Sequence, residues 1–174
     1  METIRDILII LIPSGIVFAT AYYLVKKFLD KENQKDTFHL KSANSQIVTP
    51  VRLQAYERIT LFLERISPNN MVLRIHKNGM SARLLQSELL KTIRMEFEHN
   101  LSQQIYMSAN AWEIVKSAKE ETIKIVNLSS SKVKDTASGM ELSQVIIEIS
   151  NKLQKLPTQS ALEYIKKEIA QTFH

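Results

Sequence analysis

Residues 108–129 read SANAWEIVKSAKEETIKIVNLS, and this stretch decides the fold class. Ser108 is a helix-capping residue that directly precedes a run with helical periodicity. Glu120 and Lys124 form a favourable pair one turn apart on the polar face. One face of the predicted helix is apolar throughout: Ala111, Trp112, Val115, Ala118 and Val126. The stretch therefore predicts an amphipathic helix over about 109–129 that packs against a core.

The sequence before this helix carries two repeated start signals. Thr49-Pro50 and Ser67-Pro68 each place a capping hydroxyl before proline at the first helical position. They predict a helix over 51–66 and a short helix after it. The predicted core face of the first of these helices contains six residues: Ala55, Tyr56, Ile59, Phe62, Leu63 and Ile66.

A longer helix is predicted between these elements and the quoted stretch. Ser81 can cap it, and its apolar pattern continues to about residue 107. Its apolar residues step by four along the chain: Leu85, Leu89, Ile93, Phe97, Leu101 and Ile105. This spacing predicts one continuous buried stripe over 82–107.

Two further helices are predicted after the quoted stretch, over about 136–155 and from Pro157 onward. Their apolar positions recur with helical spacing: Leu142, Val145, Ile146, Ile149, Leu153, Leu162, Ile165, Ile169 and Phe173. The chain has only three glycines and four prolines, which disfavours a many-stranded sheet. We therefore predict an all-α protein with a helical bundle of about five main helices plus one short helix.

The N-terminal part of the chain predicts a single transmembrane helix. Residues 7–25 form a run of nineteen residues without charge, which as a helix is about 28 Å long, close to a bilayer core of about 30 Å. Ala19-Thr20-Ala21 resembles a signal-peptide cleavage site, but the apolar run continues beyond it. The retained anchor is therefore the favoured reading, and a cleaved signal remains the alternative. The predicted regions are an anchor over 1–30, a polar tether over 31–48 and the bundle over 49–174.

Lysines flank the predicted span on one side. Arg5 is the basic residue before it, whereas five lysines follow it: Lys26, Lys27, Lys31, Lys35 and Lys41. Basic flanks stay in the cytoplasm, so the N-terminus is predicted to face out and the bundle to lie in the cytoplasm, at a cytoplasmic (inner) membrane.

The composition of the 174-residue chain excludes several classes of site. Its net charge is +5 and it has no cysteine, so disulfides, thiolate metal sites and thiol catalysis are excluded. The charge is mild and aromatic residues do not interleave with the basic ones between residues 65 and 83, so we do not expect nucleic acid as a partner. No phosphate-binding loop or hydrolase motif occurs. We expect no enzyme activity, no catalytic residues and no cofactor.

A polar run near the middle of the chain is the first candidate site. Asn100 and Gln104 project into the apolar stripe of the predicted helix 82–107, beside Glu96 and His99. Buried amides need partners, so these four residues predict a buried polar network, or alternatively a polar pocket or a contact with a partner. Glu96 and His99 also have the spacing of one half of a di-metal site, but the second half is absent and no metal site is predicted.

The second candidate site is a basic edge between residues 65 and 83. No acidic residue lies in this interval, which contains Arg65, Arg74, His76, Lys77 and Arg83. Such an edge would bind lipid headgroups, an acidic partner or nucleic acid, and a solvated connection is the alternative.

Two runs of the sequence resemble a known family. VRLQAYERITLFLERISPNN (51–70) and IRMEFEHNLSQQIYMSANAWEIVKSAKEE (93–121) are similar to an uncharacterised group of small bacterial proteins. The resemblance implies an N-terminal membrane helix and a cytoplasmic helical domain of unknown function. It implies no activity, ligand or catalytic residue.

Three functional hypotheses follow from these features. The first is a membrane-anchored interaction or scaffold module with a protein partner or self-association, held in the membrane through residues 7–25. The second is a helical bundle that senses a small or anionic ligand. The third is an enzyme with an unrecognised site.

Overall fold

In the computed structural model, the first helix, α1, comprises residues Glu2–Ile66. The structure describes the backbone of residues 2–173 and the side chains of residues 15–16, 18–28, 31 and 48–171. The side chains of residues 7–14 and 17, which belong to the predicted span, lie outside the described ones. Two units divide the chain, Met1–Thr49 and Pro50–His174. Among the described residues, no helix is both long and apolar enough to cross a membrane.

Two predicted features of the linker region differ from the structure. Residues 31–48 are helical, and Thr49 and Pro50 lie inside α1 instead of starting a helix. The reason is local, because residues 31–48 contain neither glycine nor proline and Pro50 removes a single backbone donor. The role of residues 31–48 as a tether stays a prediction.

Five helices follow α1, and a 3₁₀ segment lies among them. Their bounds are α2 Pro68–Ile75, α3 Ala82–His99, the 3₁₀ segment Leu101–Tyr106, α4 Ala109–Ser130, α5 Gly139–Lys152 and α6 Pro157–Phe173. Pro68 occupies the first turn of α2, and the Ser81 and Ser108 side chains accept the backbone N–H groups of Leu84 and Ala111. The all-helical prediction is confirmed, since residues 2–173 contain no strand and the second unit holds five longer helices and one short one.

The core of the second unit collects the predicted apolar faces. The six residues predicted for the end of α1 and the five predicted for α4 are all buried. The partly buried Phe97 packs against this core, where its ring stacks on Trp112, with centroids 5.4 Å apart, and contacts Phe62 at 5.9 Å. The Lys119 ammonium lies 4.3 Å from the Phe97 centroid, so a cation covers the edge of this aromatic cluster.

The predicted stripe of α3 is correct only over its first three turns. Leu85, Leu89 and Ile93 are fully buried, but Leu101 and Ile105 are exposed. The helix ends at His99 because Asn100 leaves helical geometry, with φ −103° and ψ 6°. The change to a 3₁₀ segment alters the rotation per residue, which turns the later apolar side chains away from the core.

Helix α5 is shorter than predicted and is fixed at its start by a capping box. Ser138 accepts the N–H of Glu141, whose side chain accepts the N–H of Ser138. Leu142 and Ile146 are buried as predicted, whereas Leu153 lies past the end of the helix and is exposed. The side chain of Phe173, at the end of α6, lies outside the described residues.

Two loops of the second unit are joined by backbone hydrogen bonds. The Ala82 N–H donates to the Ala137 carbonyl at 2.9 Å, and the Gly139 N–H donates to the Met80 carbonyl at 2.7 Å. A Cβ on Gly139 would lie 3.0 Å from that same carbonyl oxygen. Glycine is therefore the residue that allows the α2–α3 loop to approach α5 this closely.

Candidate functional site

A groove between α1 and α3 contains residues from both predicted candidate sites. It has a volume of about 330 Å³ and lies within the second unit. We call it the α1–α3 groove. Nine residues line it: Gln54, Glu57, Arg58, Leu61, Phe62, Arg65, Glu96, His99 and Asn100.

Glu96 lies between two arginines of the predicted basic edge. Its Oε2 is 3.3 Å from Arg65 Nη1, and its Oε1 is 4.0 Å from Arg74 Nη2. Arg74 also donates to the Arg65 carbonyl at 3.2 Å. The Glu96 side chain is 17% exposed and the Arg65 side chain 56% exposed, so solvent screens this ion pair from the arginine side. A carboxylate from α3 therefore neutralises this part of the edge.

The structure places the residues of the predicted polar network in different environments. Asn100 is 6% exposed, and its Nδ2 donates to the Glu96 carbonyl at 2.8 Å. Gln104 is exposed, and the buried amide of this segment is Gln103. The prediction that Gln104 lies beside Asn100 in the stripe is wrong, because it assumed an α-helix through residues that form a 3₁₀ segment. His99 reaches the groove together with Glu96.

The remaining residues of the predicted basic edge lie elsewhere on the second unit. His76 lines a separate pocket of about 570 Å³ formed by the α2–α3 and α4–α5 loops. Arg83 lies 3.1 Å from Asp135, and both side chains are largely exposed. Lys77 is exposed within the α2–α3 loop. The basic residues between 65 and 83 therefore do not converge on one pocket, because Arg65 and Arg74 lie near Glu96, whereas His76 lines a different pocket and Arg83 pairs with Asp135.

A polar cluster that the sequence analysis did not predict is centred on Glu168 of α6 and includes Tyr56 and Ser108. The Tyr56 hydroxyl donates to Glu168 Oε1 at 2.5 Å, and the Ser108 N–H donates to the same atom at 3.2 Å. The Ser108 hydroxyl donates to Oε2. Residue separations of 112 and 60 along the chain leave no local signal for these contacts.

The Glu168 cluster shifts the acid–base properties of two groups. Burial raises the pKa of Glu168, but hydrogen bonds from Ser108 and Tyr56 and the charge of Arg52 lower it below the usual value. Burial and the hydrogen bond to Glu168 raise the pKa of the Tyr56 hydroxyl. The cluster holds a carboxylate against the N-terminus of α4, where negative charge is favourable.

The chemistry of the α1–α3 groove favours recognition. It combines an exposed apolar side chain, Leu61, with charged groups of both signs and a buried amide. Among the described residues, no group of three or more metal-ligating side chains lies close enough to hold an ion. An amphipathic partner would find both apolar and charged contacts in this groove.

A family model described as a family of unknown function (DUF7935) matches residues 2–172. No curated protein and no solved structure matches the chain significantly.

Proposed function

The chain belongs to DUF7935, a family of unknown function, and we propose that it is a membrane-anchored helical interaction module. The observation that carries this proposal is the exposure of large apolar side chains along the first unit. Phe18 is 76% exposed and Leu24 65%. The same holds for the other large apolar side chains described there: Ile16, Tyr22, Tyr23, Val25 and Phe28.

The exposed apolar side chains of this segment surround the helix. At about 100° per residue, Phe18, Tyr23 and Leu24 fall on three different sides of the helix axis. A helix that packs on another protein segment buries one stripe, whereas a helix that is apolar all round belongs in a continuous apolar medium. The uncharged run over residues 7–25 gives the segment the length that a bilayer requires.

The lysines after the span support one orientation. Lys26, Lys27 and Lys31 follow the apolar run directly, and basic flanks stay in the cytoplasm. We place the protein in a bacterial inner membrane as a single-pass protein, with the N-terminus outside and the bundle in the cytoplasm. A reporter fused after residue 174 is expected to be active in the cytoplasm, and activity on the opposite side would reverse this orientation.

The second unit supports the interaction role. Its large core is self-contained, while the α1–α3 groove leaves Leu61 exposed among charged side chains. A tethered surface needs only modest affinity, because the anchor raises its effective concentration near membrane partners.

Extraction of membranes from cells that express the full chain tests the anchor. We expect the protein to stay in the pellet after alkaline washing and to enter the soluble fraction when Phe18 and Leu24 are both replaced by Glu, since charges in the bilayer core are costly. Leu73→Glu is the matched control. Leu73 is 78% exposed but belongs to the second unit, so the Leu73→Glu protein should stay in the membrane pellet. Release of the unaltered chain by alkaline washing would contradict the anchor.

Crosslinking in cells tests the interaction surface. We expect Leu61→Glu to lose a crosslinked partner that Leu73→Glu retains, since Leu61 alone of the two lines the groove. Identical crosslinks from both variants would remove the α1–α3 groove from the proposal.

Ligand sensing is the second candidate function, and one observation supports it. The α1–α3 groove holds about 330 Å³ beside the buried Asn100 amide, which is the size class of a small-molecule site. A thermal shift of the purified chain by a small anionic compound, lost in Arg58→Gln, would favour this function. Absence of any shift across an anion panel would count against it.

A further inference from the structure

A group of aromatic and cationic side chains marks the end of the exposed apolar segment of α1. We call it the α1 collar and define it as Tyr22, Tyr23, Lys26, Lys27, Phe28 and Lys31. All six side chains are exposed. The Lys27 ammonium lies 5.9 Å from the centroid of the Tyr23 ring, so charge and aromatic surface occur at the same level of the helix.

The aromatic rings of the α1 collar are spread around the helix. At about 100° per residue, Tyr22, Tyr23 and Phe28 fall on three sides roughly 100–140° apart. One protein partner would cover a single stripe of such a helix. A bilayer surface surrounds a crossing helix, and amphipathic aromatic rings are enriched at the headgroup level.

The charge of the collar region selects one kind of headgroup. Residues 22–31 contain three lysines against Asp30, a net charge of +2. Positive charge next to a membrane favours anionic lipids over zwitterionic ones by roughly fivefold for each net charge near the surface. Salt screens this attraction, so it should weaken as ionic strength rises.

We propose that the α1 collar is a binding site for anionic phospholipids. The aromatic rings fix its depth at the headgroup layer, and Lys26, Lys27 and Lys31 contact the lipid phosphates. The inference rests on the proposed membrane anchor and adds the lipid class that the anchor recognises.

Lipid-specific fluorescence quenching tests the proposal with the full chain in vesicles. Trp112, the single tryptophan, is buried in the second unit and supplies the background signal, and Tyr23→Trp adds a reporter inside the collar. Vesicles contain equal amounts of phosphatidylcholine and phosphatidylglycerol, and one lipid at a time is brominated to quench the reporter. We expect brominated phosphatidylglycerol to quench with a relative preference of about 25-fold, since each of the two net charges contributes roughly fivefold, and high salt should reduce this preference.

Two charge variants of the reporter chain provide the comparison. Lys26→Gln combined with Lys27→Gln lowers the net charge of the collar region to zero and should bring the preference to about one. Lys166→Gln combined with Lys167→Gln removes two adjacent, exposed lysines from α6 and should leave the preference unchanged.

Each other outcome contradicts a different claim. Equal quenching by both lipids in the reporter chain overturns the anionic-lipid site and leaves the anchor intact. Quenching by neither lipid overturns the collar and the anchor together, since the reporter then lies outside the bilayer. A preference that is lost equally in both charge variants assigns the effect to the net charge of the whole protein and overturns the site.

Discussion

The two units differ in the solvent exposure of their large apolar side chains. In the second unit, Leu89, Ile93 and Leu142 have no exposed surface, whereas in the first unit Phe18 and Leu24 are mostly exposed. Both units are helical, so secondary structure does not distinguish them. The second unit therefore buries its large apolar side chains in its own core, while the large apolar side chains described in the first unit stay exposed.

The largest expected effect compares the same substitution in the two units. Leu89→Ala should lower the free energy of unfolding of the second unit by about 2–5 kcal/mol, because it removes buried methyl groups and leaves a cavity. Leu24→Ala should change it by less than about 0.5 kcal/mol, since Leu24 makes no part of that core. Urea unfolding followed by Trp112 fluorescence measures both values in detergent-solubilised full chain.

Equal losses in Leu89→Ala and Leu24→Ala would break this comparison. They would mean that the first unit contributes to the stability of the second.

A smaller effect is expected at Glu168, which extends the comparison to polar groups. The pKa of the Glu168 carboxyl group is lower in the folded protein than its usual value of 4.5. The carboxylate therefore stabilises the fold fully at pH values above 4.5, and this stabilisation is lost as the pH falls through the folded pKa. Glu168→Gln should cost about 1–3 kcal/mol at neutral pH, because Tyr56 and Ser108 lose a charged acceptor. It should also flatten the acid side of the stability curve measured by Trp112 fluorescence.

Glu163→Gln is the control for this prediction. Glu163 pairs with Lys155 at an exposed site, and solvent screening makes such pairs weak. Identical pH profiles for the two variants would show that the Glu168 cluster contributes no specific stability.

The smallest expected effect compares one glycine from each unit. Gly139→Ala should cost about 1–2 kcal/mol, because the new Cβ meets the Met80 carbonyl oxygen at 3.0 Å and forces the two loops apart. Gly15→Ala meets no atom within 4 Å and should raise helix content slightly, since alanine is the better helix former. Unfolding of each variant by Trp112 fluorescence and circular dichroism gives the two values.

A neutral Gly139→Ala would mean that the α2–α3 loop yields without cost. A loss in Gly15→Ala of the size expected for Gly139→Ala would point to a close helix contact in the first unit that the isolated chain lacks.

Local sequence signals predicted that the second unit is helical, where α2, α3 and α4 begin, and most of its core. Ser81, Ser108 and Pro68 mark helix starts that the structure confirms, because capping is decided by groups within one turn. The apolar faces of α1 and α4 follow from helical periodicity for the same local reason.

Only the tertiary structure decided where the candidate-site residues meet. Helical periodicity gave no sign that α3 ends at His99. The prediction therefore placed Gln104 in the core, whereas the structure buries Gln103. It grouped Arg65 with Arg83, although Glu96 of α3 pairs with one and Asp135 with the other. The Glu168 cluster likewise joins residues from three helices. These contacts depend on how distant helices pack, and a local pattern carries no information about the partner across an interface between helices.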